Sequence, residues 1–344
     1  MLSVALLLTA CQRTAPEIGP EIDQVTSSES QPPDLTMMCQ NLKTEMTNLD
    51  NQRTTLALEQ INQNIRLCLP LIDFYEQKQW ITLSEQMYAN FLKVKRSHEQ
   101  QRSFESYAQD QSQYPTLQQQ LFEKLNSRDQ YLLQHQGQAY IELIDLDRNH
   151  IQYRRSPLYL AKVFAPYLPK AEAIFVQQLA EQNIQPVFKE HRLNIIPQEI
   201  VHRAEYWVQY QKDYPKSAYI DDARYLANFY TALLFKGSKD APSSELFQGK
   251  EDIQQAYLNE IVQLADRDDA VLNQTAKKFM RFIELNAQQR NEMTLEDTPI
   301  VDAYSDNAHS SSISQLEHYL DLVPIQLNNP QRDCFSDAIC HSRH

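Results

Sequence analysis

The scarcity of glycine constrains this chain most, because glycine occurs only 4 times in 344 residues. Glycine supplies the positive-φ positions that tight turns and phosphate-binding loops require. The sequence contains no G-x-G-x-x-G, Walker or G-x-S-x-G pattern, so dinucleotide-binding, P-loop and α/β-hydrolase functions lack their usual signatures. A chain poor in Gly and rich in Leu, Gln, Ala and Glu is predicted to have a mainly α fold.

Apolar residues recur at helical spacing through most of the chain after residue 34. In the first half this predicts a bundle of antiparallel helices over 35–136, with stripes at Leu42, Met46 and Leu49, at Leu56, Ile61, Ile65 and Leu69, and at Ile81, Met87, Phe91 and Val94. In the second half the predicted helices are 158–167, 170–182, 198–212, 221–235, 251–265 and 270–286.

One segment departs from the helical pattern. β-Branched and aromatic residues at 140–146 and 150–154 flank a polar turn, which predicts a β-hairpin. A lone hairpin is marginal in water, so we expect it to pack on the bundle, joined by a third extended piece near 186–196. The pair Arg154 and Arg155 at its end is interpreted as solvated, with a basic contact for an acidic partner as the alternative.

The N-terminus carries a short apolar run that ends in Leu8-Thr9-Ala10-Cys11. These four residues resemble the lipobox of bacterial lipoproteins. The resemblance implies that residues 1–10 are a signal peptide and that Cys11 is acylated, which gives membrane attachment through lipid. Gln12 implies export to the outer membrane in bacteria where Asp at that position causes inner-membrane retention. The alternative is a buried or interfacial N-terminal helix with a chance cysteine.

The segment 11–34 is predicted to be the lipidated cysteine followed by a flexible linker. It contains four prolines and several serines and acids, with almost no apolar periodicity, a composition that does not bury enough surface to order itself. A linker of this length has an r.m.s. reach of roughly 25 Å. We therefore expect the folded body to sit just off the membrane surface.

The remaining cysteines, Cys39, Cys68, Cys334 and Cys340, form an even set that suits disulfides in an oxidising compartment. Of the three possible connectivities we favour the local one, Cys39 with Cys68 and Cys334 with Cys340. The alternative is a metal site in the tail, formed from Asp333, Cys334, Cys340, His341 and His344. Zinc sites usually have closer cysteine pairs, so we expect no metal and no cofactor.

The segment 204–230 has a recognisable pattern, in which Tyr214-Pro215-x-Ser217-x-Tyr219 is followed by Ala223. It resembles the tetratricopeptide-like repeats of periplasmic envelope-assembly lipoproteins. Pro215 does not continue a helix, Ser217 is suited to cap the next one, and a small residue at Ala223 lets two helices approach. We expect a helical hairpin here, within a bundle rather than a full solenoid, because repeat stacks need about three units.

Catalytic patterns are weak. Phe104-Glu105-Ser106 is similar to the Glu-Ser of lytic transglycosylases, but the glycine-rich stretch that follows it in those enzymes is absent. His202 and Glu205 share a helix face, and His191 could join them. Each of these groups is more simply interpreted as ordinary polar side chains on the protein surface. We therefore predict no catalytic residue and no enzymatic activity.

The C-terminal segment ends with an amphipathic piece at 313–322. Its apolar face, which continues to Val323, consists of Leu316, Tyr319, Leu320 and Val323. We expect this face to dock on the body, with docking on a partner as the alternative. The predicted divisions are a signal peptide (1–10), a lipidated linker (11–34), an N-terminal bundle (35–136), a β-hairpin with a repeat-like region (137–290) and a polar, cysteine-bearing tail (291–344).

With 32 basic against 45 acidic residues the net charge is -13, which disfavours nucleic acid as a partner. The sequence therefore predicts a non-enzymatic lipoprotein, anchored to the outer membrane on its periplasmic face. Its expected partner is another envelope protein or peptidoglycan. The alternative is a peptidoglycan-acting enzyme or small-ligand carrier whose site forms from residues distant in sequence.

Overall fold

Helices account for most of the chain in the computed structural model, which describes residues 35–109, 115–145, 151–189, 192–238, 241–294 and 308–322. The mainly α prediction is confirmed. In the first half the helices are α1 (Leu35–Asn48), α2 (Thr55–Cys68), α3 (Phe74–Phe91), α4 (His98–Gln109), α5 (Pro115–Glu123) and α6 (Ser127–Gln134).

The starts of three of these helices are fixed by capping side chains. The side-chain oxygens of Thr54, Asp73 and Asn126 each accept a hydrogen bond from the backbone N–H three residues later. Such caps satisfy N–H groups that have no partner within the helix. The sequence therefore determines where α2, α3 and α6 begin.

The predicted apolar stripe of α2 is wrong at its first residue. Leu56 is 77% exposed, whereas Leu58, Ile61 and Ile65 are buried. Leu58 lies three residues before Ile61 and shares its helix face, while Leu56 lies five residues before it and points elsewhere. Spacing, and not hydrophobicity alone, selects the buried leucine.

A disulfide joins the first two helices. Cys39 of α1 and Cys68 of α2 are bonded, with their Cα atoms 5.6 Å apart, as the local pairing predicted. Both cysteines are buried. The bond fixes the start of α1 against the end of α2.

The predicted β-hairpin is present as β1 (Ile141–Asp145) and β2 (Ile151–Arg155), which pair antiparallel with Leu143 opposite Tyr153. The prediction that the extended piece near 186–196 joins this sheet is wrong. It forms its own short hairpin, β3 (Phe188–Lys189) and β4 (Arg192–Leu193). The Asn194 side chain donates to Pro186 O at 3.0 Å, so this loop closes on itself.

Arg154 and Arg155 are both buried, so the prediction of a solvated hairpin end is wrong, and so is its basic-surface alternative. Arg155 Nη1 donates to Ser84 Oγ of α3 at 2.8 Å, and its guanidinium lies 4.7 Å from the centre of the Tyr159 ring. Arg154 Nε donates to Glu142 Oε1 on the paired strand at 2.6 Å. Aromatic faces and charged partners stabilise these cations inside the fold.

The second half continues with helices that pack in sequential pairs. A π-helical segment (Leu160–Phe164) and a 3-10 turn (Ala165–Tyr167) precede α7 (Lys170–Ile184), followed by α8 (Pro197–Asp213), α9 (Ile220–Lys236), the small hairpin β5 (Gly237–Ser238) and β6 (Ala241–Pro242), α10 (Gln255–Asp266), α11 (Asn273–Glu284) and α12 (Ala287–Thr294). The most extensive packing in this half joins α8 to α9 and α10 to α11.

The connection between these two helical pairs is held by polar groups. Asp252 accepts hydrogen bonds from Ser244 Oγ and from the backbone N–H groups of Leu246 and Gln248. Although partial burial raises the pKa of this carboxyl, these hydrogen bonds outweigh it and lower the pKa below the usual value. The Arg290 guanidinium donates to the carbonyl oxygens of Leu246 and Phe247 in the same loop.

The C-terminal helix α13 (Ala308–Tyr319) docks on the body, as predicted for the amphipathic segment. Leu316 and Leu320 are buried, and the Tyr319 ring lies 5.4 Å from that of Phe282 in α11. Val323 lies outside the described residues. Along the described ranges, no helix has the length and apolarity needed to cross a membrane.

Candidate functional site

The turn between α8 and α9 contains the repeat-like motif, and a buried carboxylate organises it. Glu172 of α7 accepts hydrogen bonds from Ser217 Oγ at 3.1 Å and from the backbone N–H of Ala218 at 2.8 Å. Ser217 Oγ also accepts from the backbone N–H of Tyr219 at 3.1 Å. Ser217 therefore closes the turn three residues before α9 begins at Ile220, but it does not cap that helix as predicted, because the N-cap residue is Tyr219 and it forms no side-chain capping bond. Glu172 ties the turn to α7.

Aromatic side chains surround this turn. The ring of Tyr219 stacks on that of Phe175 in α7 with ring centroids 4.5 Å apart. The ring centroids of Tyr210 and Tyr214 lie 5.1 Å apart. Pro215 is exposed just after the end of α8, and Ala223 is fully buried in α9, which packs on α8. The structure thus brings all five motif residues to the turn between α8 and α9 and the start of α9.

Three tyrosines spaced by four residues, Tyr206, Tyr210 and Tyr214, are called the tyrosine stripe. Tyr206 and Tyr210 share one face of α8, and Tyr214 is the residue directly after the helix ends. Burial is the largest cause that raises the pKa of Tyr206 and Tyr210 to about 12. The Tyr210 hydroxyl donates a hydrogen bond to Ala171 O of α7 at 2.9 Å. Tyr206 and Tyr214 remain half-buried and present part of each ring to solvent.

The turn that joins α10 to α11 resembles the turn that joins α8 to α9. Residues 214–219 connect the first pair and residues 267–272 the second, so each connection has six residues. The capping residue of α9, Tyr219, has φ -100° and ψ 18°, and that of α11, Leu272, has φ -97° and ψ 8°. The two turns therefore match where the second helix begins, whereas at the end of the first helix Tyr214 has ψ 57° and Arg267 has ψ 102°.

Backbone hydrogen bonds match in the same way. Ser217 N donates to Tyr214 O at 3.0 Å, and Ala270 N donates to Arg267 O at 3.1 Å, 53 residues later in the chain. Ala276 is fully buried in α11, as Ala223 is in α9. The repeat-like region therefore contains two helical hairpins with similar turns, although the helices of the first have 17 residues each and those of the second 12.

Both helices of the second hairpin were predicted, as 251–265 and 270–286, but the likeness of its turn to the first was not, because that turn lacks the Tyr-Pro and Ser-x-Tyr residues. The signal that could have found it is the small residue six positions before a buried alanine, Ala270 before Ala276, as Ser217 precedes Ala223. In place of the Ser217 network, the Asn273 amide donates to the last carbonyl oxygens of α10, Leu264 O and Ala265 O.

A groove of about 530 Å³ lies between α1 and α2. Six of the nine residues that line it are polar, and the lining consists of Asn41, Thr44, Glu45, Asn48, Leu49, Arg53, Ala57, Gln60 and Ile61. It combines carboxamides, one carboxylate and one guanidinium with the apolar side chains of Leu49, Ala57 and Ile61. Such a surface offers donors and acceptors for a small polar ligand.

Buried carboxylates elsewhere in the described chain have structural partners. Asp129 receives two hydrogen bonds from Arg96, at 2.6 and 2.8 Å, and one from Tyr153 at 3.0 Å. Burial, and then the Asp129 charge, raise the pKa of Tyr153 well above its usual value. Glu172 accepts the hydrogen bonds from Ser217 and Ala218 described above. Each of these two carboxylates therefore has the partners that a buried charge needs, and each links segments that are distant in sequence.

The other sequence candidates do not converge. Glu105 accepts a hydrogen bond from Gln101 on its own helix at 2.6 Å, and Glu205 pairs with Arg267 at 3.2 Å. His202 lies 3.9 Å from Glu199 on the surface of α8. Within the described ranges, no group of three His, Cys, Asp or Glu side chains is arranged to hold a metal ion. Outside those ranges lie Cys11, His191, Asp333, Cys334, Cys340, His341 and His344.

No protein-family description, curated protein or solved structure matches this chain.

Proposed function

We propose that this protein is a lipid-anchored, non-enzymatic helical scaffold of the bacterial cell envelope, held at the periplasmic face of the outer membrane through acylated Cys11. The Leu8-Thr9-Ala10-Cys11 sequence supports the anchor. The Cys39–Cys68 disulfide is consistent with it, because disulfides persist in oxidising compartments.

The observation that carries the scaffold proposal is the two successive helical hairpins, α8–α9 and α10–α11, in which α10 also contacts α8 and α9. Stacked helical hairpins offer extended surfaces for binding other proteins. The tyrosine stripe supplies half-buried aromatic side chains on the first hairpin. Tyrosine is enriched at the energetic centres of protein interfaces because it offers apolar area, a hydrogen-bond group and few rotamers to restrict. The proposed partner is therefore an envelope protein that contacts this stripe.

A crosslinking experiment in cells tests this proposal. Tyr206 is replaced by benzoyl-phenylalanine, a photoreactive aromatic residue, and the captured protein is identified by mass spectrometry. The matched control places the same residue at Tyr107, a half-buried tyrosine of α4. We expect Tyr206 to capture one envelope protein that Tyr107 does not, and the crosslink to weaken in a Tyr214→Ser background.

Two results would contradict the proposal. Identical capture from both positions would remove the stripe as a binding surface, and turnover of peptidoglycan fragments by the purified protein would contradict the non-enzymatic role. The anchor has a separate test. Cys11→Ser should move the protein from the membrane to the soluble periplasmic fraction, and a variant that stays membrane-bound would contradict lipidation at Cys11.

A second candidate function, a carrier for a small polar ligand such as a peptidoglycan fragment, is favoured by the groove between α1 and α2. Arg53 and Glu45 lie in its lining and would bind the charged ends of such a fragment. Calorimetric titration of the native chain with a muropeptide tests it. Binding that Arg53→Ala removes would support the carrier, whereas no heat of binding with either chain would exclude it for this ligand class.

A further inference from the structure

Exposed apolar side chains concentrate at one end of the first three helices. Among the described residues, nine large apolar side chains are exposed, and five of these form what we call the disulfide-end patch: Leu35 (41%), Met37 (60%), Leu67 (55%), Leu71 (57%) and Tyr75 (68%). Single exposed apolar residues are ordinary on protein surfaces, but a concentration of them marks a contact surface.

Two links place these five residues at the same end of the bundle. The Cys39–Cys68 bond joins the start of α1 to the end of α2. An ion pair between Lys43 and Glu76 joins α1 to the start of α3. Because α1 and α2 run in opposite directions, the beginning of one, the end of the other and the first turn of α3 meet around the disulfide.

The position where the described chain begins indicates which surface covers the disulfide-end patch. The first described residue, Leu35, is itself part of the patch, and Cys11 precedes it by 24 positions. A flexible linker of that length has an r.m.s. end-to-end distance of roughly 25 Å. An acyl chain on Cys11 would therefore favour orientations that place this end of the body near the bilayer.

The chemistry of the patch also fits a lipid surface. Lys78 lies with its ammonium 5.0 Å from the Phe74 ring centre and 6.0 Å from that of Tyr75. Tyrosine and lysine are common where a protein meets the headgroup layer, since each has an apolar body and a polar end. Asp73 and Glu76 accompany Lys43 and Lys78 here, so formal charges balance and attraction to anionic lipid is not the main force.

We propose that the disulfide-end patch rests directly on the bilayer, with its leucines and Tyr75 inserted at the boundary between headgroups and acyl chains. This inference rests on the lipidation of Cys11 proposed above, and it replaces the expectation of a body that sits clear of the membrane. The patch fixes the orientation of the scaffold, and the disulfide keeps the patch assembled by joining two of the three segments that form it.

Quenching of tryptophan emission by brominated acyl chains tests the contact. The native, full-length protein is reconstituted in vesicles of phosphatidylglycerol and acyl-brominated phosphatidylcholine, as Tyr75→Trp or as the control Ile196→Trp. Ile196 is 63% exposed at the start of α8 and is not one of the patch residues. The two native tryptophans, Trp80 and Trp207, are buried and give a common background.

We expect bromolipid to quench the Tyr75→Trp emission and to leave Ile196→Trp near the background. Adding Leu67→Ser and Leu71→Ser should reduce the quenching at position 75 to the Ile196→Trp level. Both leucines are exposed, so their loss leaves the core intact, and an unchanged circular dichroism spectrum checks this. Equal quenching at the two positions while the protein stays vesicle-bound would overturn the proposal.

Failure of the anchor and failure of the patch give different results. The intact mass of the purified protein reports whether Cys11 carries lipid, independently of any quenching. An unlipidated chain that is still quenched at position 75 would keep the patch and reject the anchor. A dimer in sedimentation velocity that Leu67→Ser and Leu71→Ser dissociate, without quenching in vesicles, would overturn the proposal in favour of self-association.

Discussion

Removing the Cys39–Cys68 disulfide should destabilise the first half of the protein by an amount that its loop length sets. The bond closes a loop with a sequence separation of 29 residues. The chain-entropy relation assigns such a loop about 3.6 kcal/mol of stabilisation at room temperature, because the cross-link restricts the unfolded chain. With an m value of about 3 kcal/mol/M, the urea midpoint should fall by about 1.2 M.

The assay is urea unfolding of Cys39→Ala/Cys68→Ala followed by tryptophan fluorescence. A Trp207→Phe background leaves Trp80, which is buried in α3, as the reporter of the first half. The same background with both cysteines intact is measured oxidised and reduced as the matched control. Reduction and double substitution should lower the midpoint equally.

Two outcomes would refute this reasoning. Equal midpoints for the oxidised, reduced and substituted proteins would show that the bond does not constrain the unfolded chain. A midpoint that still responds to reductant after both cysteines are replaced would assign the effect to another pair.

Three further predictions concern the core and the turns. Asp129→Ala should lower the free energy of unfolding, measured in urea, by about 3–5 kcal/mol, because it leaves the Arg96 guanidinium without its carboxylate partner. If the double variant Arg96→Met/Asp129→Leu is as unstable as Asp129→Ala, loss of the ion pair is not the cause of the destabilisation. Ala223→Leu should cost about 1–3 kcal/mol by overpacking the helix pair, whereas Ala218→Leu, at an exposed position of the same turn, should cost little, and equal losses would remove the close-approach argument. Burial raises the pKa of four tyrosine phenols from 10.0 to about 12, those of Tyr159, Tyr206, Tyr210 and Tyr257. Between these two pH values the native state binds more protons than the unfolded state, so thermal stability should fall as the pH rises from 10.0 to about 12. A melting temperature that does not change over this range would contradict the raised pKa values.

Several local features follow from residues close in sequence. The hairpin of β1 and β2 was predictable because its strand residues and polar turn lie within 15 positions of the chain, from Ile141 to Arg155. Docking of α13 was predictable from the spacing of Leu316 and Leu320. The turn at Ser217 was predictable because proline, serine and alanine each act there through the local backbone.

Other features depended on contacts between distant segments. The burial of Arg155 depends on Ser84 and Tyr159, and nothing in the Arg154-Arg155 dipeptide distinguishes a buried arginine from a solvated one. Likewise, Glu172 organises a turn that begins more than 40 positions later, through its bond to Ser217. The pairing of Asp129 with Arg96 spans 33 positions.

The sequence by itself determined the mainly helical class, the caps of α2, α3 and α6, the first repeat-like turn and the residues available for a disulfide. These follow from backbone propensity and hydrogen bonds within a few residues. Only the tertiary structure decided which charges are buried, that the turn of α10–α11 resembles that of α8–α9, and that exposed apolar residues gather around Cys39 and Cys68. The physical reason is that burial and surface patches depend on which segments meet, and those segments are far apart along the chain.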